Sequence, residues 1–327
     1  MKITNLAIIF ILIIFPFTYI QNSQLKSQQT AQQTEQLYDT YLSAAVQDAA
    51  AVLRFNEKQQ YEATYESIKK LRANKEQAVE AFLRTLYTNF SITDDPVSQQ
   101  VLAAYIPVIL VIDYDGYYIY SAEEYKNVNQ EPEVKHVWKP KKFYSYVDQA
   151  GNSLSFTLDT YVYAYDRVNK QWSKGFQADL AASTRIPLLK KPEEFDQIRR
   201  STIVNSIQQD LAYYINQHNT YARHYGITYT FTLPLISEEE WTNTINDMGV
   251  IAFIQGIPIG AKYYNNYALG GSRLLKKPVI YGAIRDGVKI YYRSSCNYTD
   301  TIVETFTSEI DAAKKGYFPR SCINSTH

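Results

Sequence analysis

The 327 residues carry 33 Lys and Arg against 33 Asp and Glu, so the chain offers no field for nucleic acid and no polybasic patch for anionic lipid headgroups. That length suits one large domain or two ordinary ones. Tyrosine is the compositional anomaly, 30 residues against 14 Phe and 3 Trp: an apolar ring with a polar tip suits half-buried strands and surfaces that bind peptides or sugars, and a base-composition bias would leave the same mark.

The chain opens on Lys2 and then an apolar run over residues 6–20, LAIIFILIIFPFTYI. A cleaved secretory signal needs small residues before the cut, and Tyr19, Ile20, Gln21 and Asn22 supply none. An uncleaved anchor needs about 20 apolar residues, about 17 at the least, and residues 3–20 come close to that, broken by Thr4, Asn5, Pro16 and Thr18. Residues 1–22 therefore read as a membrane anchor or uncleaved signal, inserted through residues 3–20. With Lys2 and the amine before the span and Lys26 after it, the amino terminus is expected in the cytoplasm and the C-terminal domain outside.

Residues 23–91 read as a helical stalk packing on the ectodomain. Tyr38, Ala45 and Val52 recur at seven, as do Leu42 and Ala49, giving a narrow seam of small residues. The seam near residues 37–53 suits self-association or a protein partner, and equally a core helix. A wider stripe of Ile68, Leu71, Ala78, Phe82, Leu86 and Phe90 follows, so residues 36–89 form one long helix or two stacked ones, the second half packed on a domain.

Residues 92–190 read as a tyrosine-rich β subdomain. Thr93 or Asp94 caps a short helix with Pro96 in its first turn. VILVIDYDGYYIYS, residues 108–121, is a hairpin turning at Asp115-Gly116; its Asp-x-Asp-Gly resembles the opening of a calcium loop but lacks the distal Glu. Alternating strands fill residues 136–172. Residues 187–192, basic and proline-marked, form the boundary to an α/β subdomain at 191–327.

That second half begins with a helix from Pro192 to about Tyr225, then a strand over residues 227–235. Ser237 and Glu240 form a capping box, and residues 250–260 a buried strand ending in a turn at Gly256-Ile257-Pro258. Residues 256–273, GIPIGAKYYNNYALGGSR, show no periodicity and read as a long connection; loops beyond about 12–15 residues tend to be functional. Tyr263, Tyr264, Asn265, Asn266, Tyr267 and Arg273 are the expected ligand or partner contacts. A hairpin turned at Asp286-Gly287 and a last helix from Asp300 through Ala313 follow. Outside the cytoplasm Cys296 and Cys322 are expected to form a disulfide, which by chain-entropy reasoning contributes roughly 3 kcal/mol.

Catalytic patterns are missing from the sequence. His136, His218, His224 and His327 sit at no metal-ligand spacing, and His218, near an apolar helix face, reads as a structural histidine. Ser67-x-x-Lys70 matches a nucleophile motif without the partner motifs that chemistry requires. No catalytic residue, metal or cofactor is expected. The fold class is α+β: a membrane helix, a long helix, then a mixed ectodomain with mainly antiparallel sheet.

The order of anchor, long helix and VILVIDYDGYYIYS hairpin resembles the start of extracytoplasmic Cache or PAS-like sensors, which implies a ligand-sensing ectodomain acting through a partner. Such a receptor would carry a second span and an output region that this sequence does not show. Residues 231–273, FTLPLISEEEWTNTINDMGVIAFIQGIPIGAKYYNNYALGGSR, are similar to uncharacterised single-span proteins of Gram-positive bacteria associated with Flp/Tad-type pilus loci. That resemblance implies a structural or interaction role beside a pilus or secretion machine, although the pilin-type Gly and Glu cleavage pattern is absent from residues 1–20. A membrane-anchored extracytoplasmic interaction protein is the leading expectation from sequence, and the sensor is its alternative.

Overall fold

The computed structural model describes residues 3–53, 67, 69, 72–272, 280–293, 296, 298–306 and 309–320, giving only the backbone for 3–18, 293, 309 and 310. The chain divides into two compact units, residues 1–62 with 72–273, and residues 63–71 with 274–327.

In the first unit α1 (Ile3–Val52) is a single helix of 50 residues. α2 (Lys75–Asn89) starts where the Asn74 side chain accepts the Gln77 N–H at 3.1 Å. α3 (Pro96–Ala104) is capped by Asp95, one residue beyond the expected caps, with Pro96 at its first position, where a missing N–H costs nothing. Seven strands come next: β1 (Val108–Asp113), β2 (Gly116–Lys126), β3 (Pro132–Trp138), β4 (Lys142–Val147), β5 (Ser153–Phe156), β6 (Tyr161–Asp166) and β7 (Gln171–Phe176). α4 (Gln177–Ala181) and a 3-10 turn at Pro187–Lys190 lead into α5 (Pro192–His224). Glu193 and Glu194 complement the dipole of α5, and Phe195, Ile203, Ile207, Leu211 and Ile215 are its fully buried face. α6 (Glu238–Thr244), opened by the Ser237–Glu240 capping box, precedes β8 (Gly249–Ile259) and β9 (Lys262–Gly271).

These strands form one nine-stranded sheet in the order β7-β6-β5-β4-β2-β1-β8-β9, with β3 also on β2, and its pairings are antiparallel. Directly opposed residues share a face, which shows what covers each side. Tyr117 donates to the Ser206 carbonyl at 3.0 Å and to Asp210 at 2.9 Å, so Tyr117 and its partner Ile112 face α5. Val111 and its partner Val250 face the other way. Gly270, opposite Val250, lies under α1, where an added Cβ would stand 2.8 Å from Val46 Cγ1 and 2.9 Å from the Val46 carbonyl oxygen. With a helix on each face, all six residues of β1 are buried, and a continuous apolar run replaces alternation.

Several expectations change here. Much of the small-residue seam packs within the chain: Leu42, Ala45, Val46, Ala49 and Leu53 are buried against α2, β8 and β9, alanines allowing the close approach. The described part of residues 36–89 carries the end of α1, to Val52, and α2, and α1 extends back to Ile3. Residues 256–271 are not a loop: β8 runs through a bulge at Gly256 and turns at Gly260-Ala261 into β9. Residues 227–235 join no ladder, because side-chain amides take the place of a neighbouring strand: Asn219 bonds the N–H and C=O of Phe231 at 2.7 and 2.9 Å, and Gln255 those of Thr232 at 3.1 and 2.8 Å. The 187–192 connector is no boundary in the sheet, since β1 and β8 on either side of it pair.

The second unit carries β10 (Ile280–Arg285), β11 (Val288–Arg293), β12 (Ile302–Phe306), α7 (Glu309–Lys314) and β13 (Phe318–Pro319), in the sheet order β12-β10-β11-β13. The hairpin at Asp286-Gly287 is present, but the expected last helix is divided, its first apolar residues pairing with β10. Lys70 of the Ser-x-x-Lys pattern lies outside the described residues. Among the described residues no helix is long and apolar enough to cross a membrane; the side chains of the apolar run over 6–18 lie outside them. The architecture is thus α+β with mainly antiparallel sheet.

Candidate functional site

Of the expected contact residues on β9, Tyr264, Asn266 and Tyr267 hydrogen-bond within the fold, while Tyr263 and Asn265 are exposed. Tyr264 and Asn266 both donate to Asp39 of α1, at 2.8 and 2.6 Å. Burial, then the Asp39 carboxylate, holds the Tyr264 phenol above its ordinary range. On the other face Tyr267 donates to Glu240 at 3.0 Å, and the Tyr263 ring lies 5.3 Å from that of Tyr229. Asn265 is exposed, opposite Gln255. Arg273 lies outside the described residues. A groove of about 690 Å³ lies between α1, α6 and β9, and part of its polar lining is engaged: Glu240 in the capping box, Thr244 on the Glu240 carbonyl and Ser272 on that of Met248. Cys296 is buried beside Ala283 and Tyr292 in the second unit, and Cys322 lies outside the described residues.

At the β1–β2 turn, the Asp-x-Asp-Gly pattern meets a cation from the protein itself. Lys141 Nζ donates to Asp113 at 2.7 Å and also to Asp115. Burial works against the Lys141 ammonium, and the two carboxylates outweigh it and hold its pKa above the ordinary lysine value. Tyr144 donates to the Gly116 carbonyl at 2.8 Å, and Lys142 to Asp210 at 2.5 Å. A calcium loop is not what these carboxylates build, and among the described residues no group of three or more His, Cys, Asp or Glu is arranged to hold a metal ion.

The opposite end of the same two strands is built differently. A cavity of about 480 Å³ is lined there by Leu83 and Tyr87 of α2, Ala103 of α3, Ile109 of β1, Tyr120 of β2 and His136 of β3, with His218 and Tyr225 from the end of α5. The His136 Nε2 stands 2.8 Å from the Ile106 carbonyl oxygen and that of His218 2.8 Å from the Ala104 carbonyl oxygen. Each Nε2 therefore carries the proton, and each Nδ1 of the neutral ring is an acceptor. Burial pushes both imidazoles below their ordinary pKa, that of His218 to about 4, with His136 as a further cause. The two rings are 6.2 Å apart, and Tyr120 stacks on His136 at 5.5 Å. His218 Nδ1 is buried without a hydrogen-bond partner among the described residues. Burial also raises the phenols of Tyr87 and Tyr120. The site thus combines apolar walls, rings, a few uncharged polar tips and one ion pair, Glu133 with Lys135, the chemistry of a small-molecule cavity.

Sequence reasoning treated the two histidines as unrelated. His218 does bond the backbone, as expected for a structural histidine, but only through one nitrogen. Nothing in the spacing of residues 82 apart signals that they meet; the sheet register and the length of α5 bring them together. No family model, curated protein or solved structure matches this chain.

Proposed function

We propose that the chain is the extracytoplasmic, ligand-sensing part of a single-pass membrane protein, anchored by residues 3–20 and binding a small molecule in the cavity beside His136. The cavity carries this reading: it has apolar walls, is of ligand size, and is lined by uncharged hydrogen-bonding groups, the imidazole of His136 among them. α2 supports the sensing element. It lines the cavity through Leu83 and Tyr87 and packs on α1, where Thr85 donates to Asp48 at 2.7 Å and the ring of Phe90, at the end of α2, lies 4.9 Å from that of Tyr38. An occupant that moves α2 thus bears on the helix that begins in the apolar run. The Cys296–Cys322 disulfide belongs to the same reading, since an oxidising compartment favours it.

Fragment screening by methyl NMR on the full chain in detergent tests the binding. Compounds that bind shift the methyls of Leu83, Ile106 and Ile109 together, and Ala103→Phe abolishes the response. A diverse library that leaves these methyls unmoved overturns the reading. Trypsin shaving of intact cells should release the domain, and full protection would refute the outward topology.

A further inference from the structure

We propose that the cavity receives a neutral ring compound whose N–H or O–H group donates a hydrogen bond to Nδ1 of His136, a statement of ligand class that rests on the ligand-binding reading above.

The argument starts from the tautomer. The Ile106 carbonyl is an obligatory acceptor, and His136 Nε2 is 2.8 Å from it. A proton on Nδ1 instead would set two acceptors against each other, so the backbone locks the ring with its lone pair on Nδ1. His136 makes no other hydrogen bond to the described residues, yet the residue is only half-buried and lines the cavity. Stacking on Tyr120 holds its plane. The acceptor is therefore oriented, on a cavity-lining residue, and is not among the fully buried atoms without a partner, unlike His218 Nδ1.

The other groups facing the space define the rest of the ligand. Tyr87, Tyr120 and Tyr225 are uncharged, and Tyr225 already donates to the Val134 carbonyl at 3.2 Å. The lining charges, Glu133 and Lys135, pair with one another at 2.9 Å. A ligand anion would meet imidazole lone pairs and no unspent cation, and a ligand cation would find no unspent carboxylate. Burying either is expensive without a partner. Apolar walls from Leu83, Ile106, Ile109 and Val134 reward a flat hydrocarbon body, and about 480 Å³ accommodates two fused rings.

Indole, 1-methylindole and indole-3-carboxylate isolate these features, since methylation deletes the donor and carboxylation adds a charge. With the full chain in detergent, calorimetry should give indole an affinity about tenfold above 1-methylindole, the worth of one hydrogen bond in a dry site, and no binding of the carboxylate. Indole should move the ¹⁵N resonance of His136 Nδ1 and leave that of Nε2 nearly unchanged. His136→Gln keeps a side-chain donor for the Ile106 carbonyl; it should remove the preference for indole while retaining 1-methylindole. Should that variant fail to fold, the imidazole ¹⁵N shifts of the native chain decide. Equal affinities for indole and 1-methylindole, with cavity methyls shifted, would overturn the donor proposal and leave ligand binding standing. Tighter binding of the carboxylate would do the same. If indole, 1-methylindole and phenol all leave the cavity methyls unmoved, the donor proposal fails, and a compound from the fragment library that moves them preserves ligand binding without it.

Discussion

The two ends of the β1–β2 hairpin spend polar groups in opposite ways. At the turn, two buried carboxylates share one ammonium and Tyr117, Tyr144 and Lys142 close the network. At the other end two imidazoles each satisfy one backbone carbonyl and leave the second nitrogen unused. A completed network stabilises and specifies a fold, whereas unused hydrogen-bonding capacity around an apolar space costs stability and is retained where something else completes it. The contrast explains why the acidic motif at the turn is filled by Lys141 of the same chain, whereas each of the two inconspicuous histidines keeps a nitrogen without a partner among the described residues.

The largest test of the contrast is Lys141→Met, which strands the nearly inaccessible Asp113 carboxylate. A loss of about 3–5 kcal/mol in urea unfolding is expected, and a loss below about 1 kcal/mol would make the cluster no different from a surface pair. The next is pH. The His218 pKa falls from 6.5 to about 4 on folding, so the unfolded chain binds the proton first. Its contribution is complete above pH 6.5 and lost as pH falls towards 4, on the order of 3 kcal/mol. Comparing the acid limb with that of His218→Gln isolates it, and superimposable limbs would show that the ring titrates normally.

Gly116→Ala probes the turn itself. Its Cβ would fall 2.2 Å from the Lys142 carbonyl oxygen, so β2 and β4 must part, at a cost of roughly 1–3 kcal/mol; a Tm unchanged from the native chain would mean that the strands separate freely. The smallest effect belongs to the cavity. Ala103→Leu grows into open space and should change stability by no more than about 0.5 kcal/mol. A penalty like that of Gly116→Ala would show the space to be already packed.

Much of the secondary structure was legible. α5 announces itself by Pro192, the acids after it and an unbroken apolar face, and the turns at Asp115-Gly116 and Asp286-Gly287 by their residue chemistry. The misreadings share a cause. Residues 256–273 hide a strand because both of its faces meet polar-tolerant partners, Asp39 on one and Glu240 and Tyr229 on the other, which erases the apolar alternation. Residues 227–235 alternate like a strand but have their backbone bonded by the amides of Asn219 and Gln255, which no local pattern encodes. The candidate site was not legible, since its two histidines are ordinary residues whose significance lies in which nitrogen each leaves unused.

The sequence by itself determined the elements whose causes are local: helices from caps and apolar period, hairpins from turn residues, and the apolar run that makes residues 6–20 a candidate anchor. Tertiary structure alone decided what those elements meet. It turned the α1 seam inward onto β9 and supplied Lys141 to the turn carboxylates. It also brought His136 and His218 to one cavity. These outcomes depend on register and on contacts between residues far apart in the chain, and side chains of ordinary composition acquire their chemistry from such neighbours.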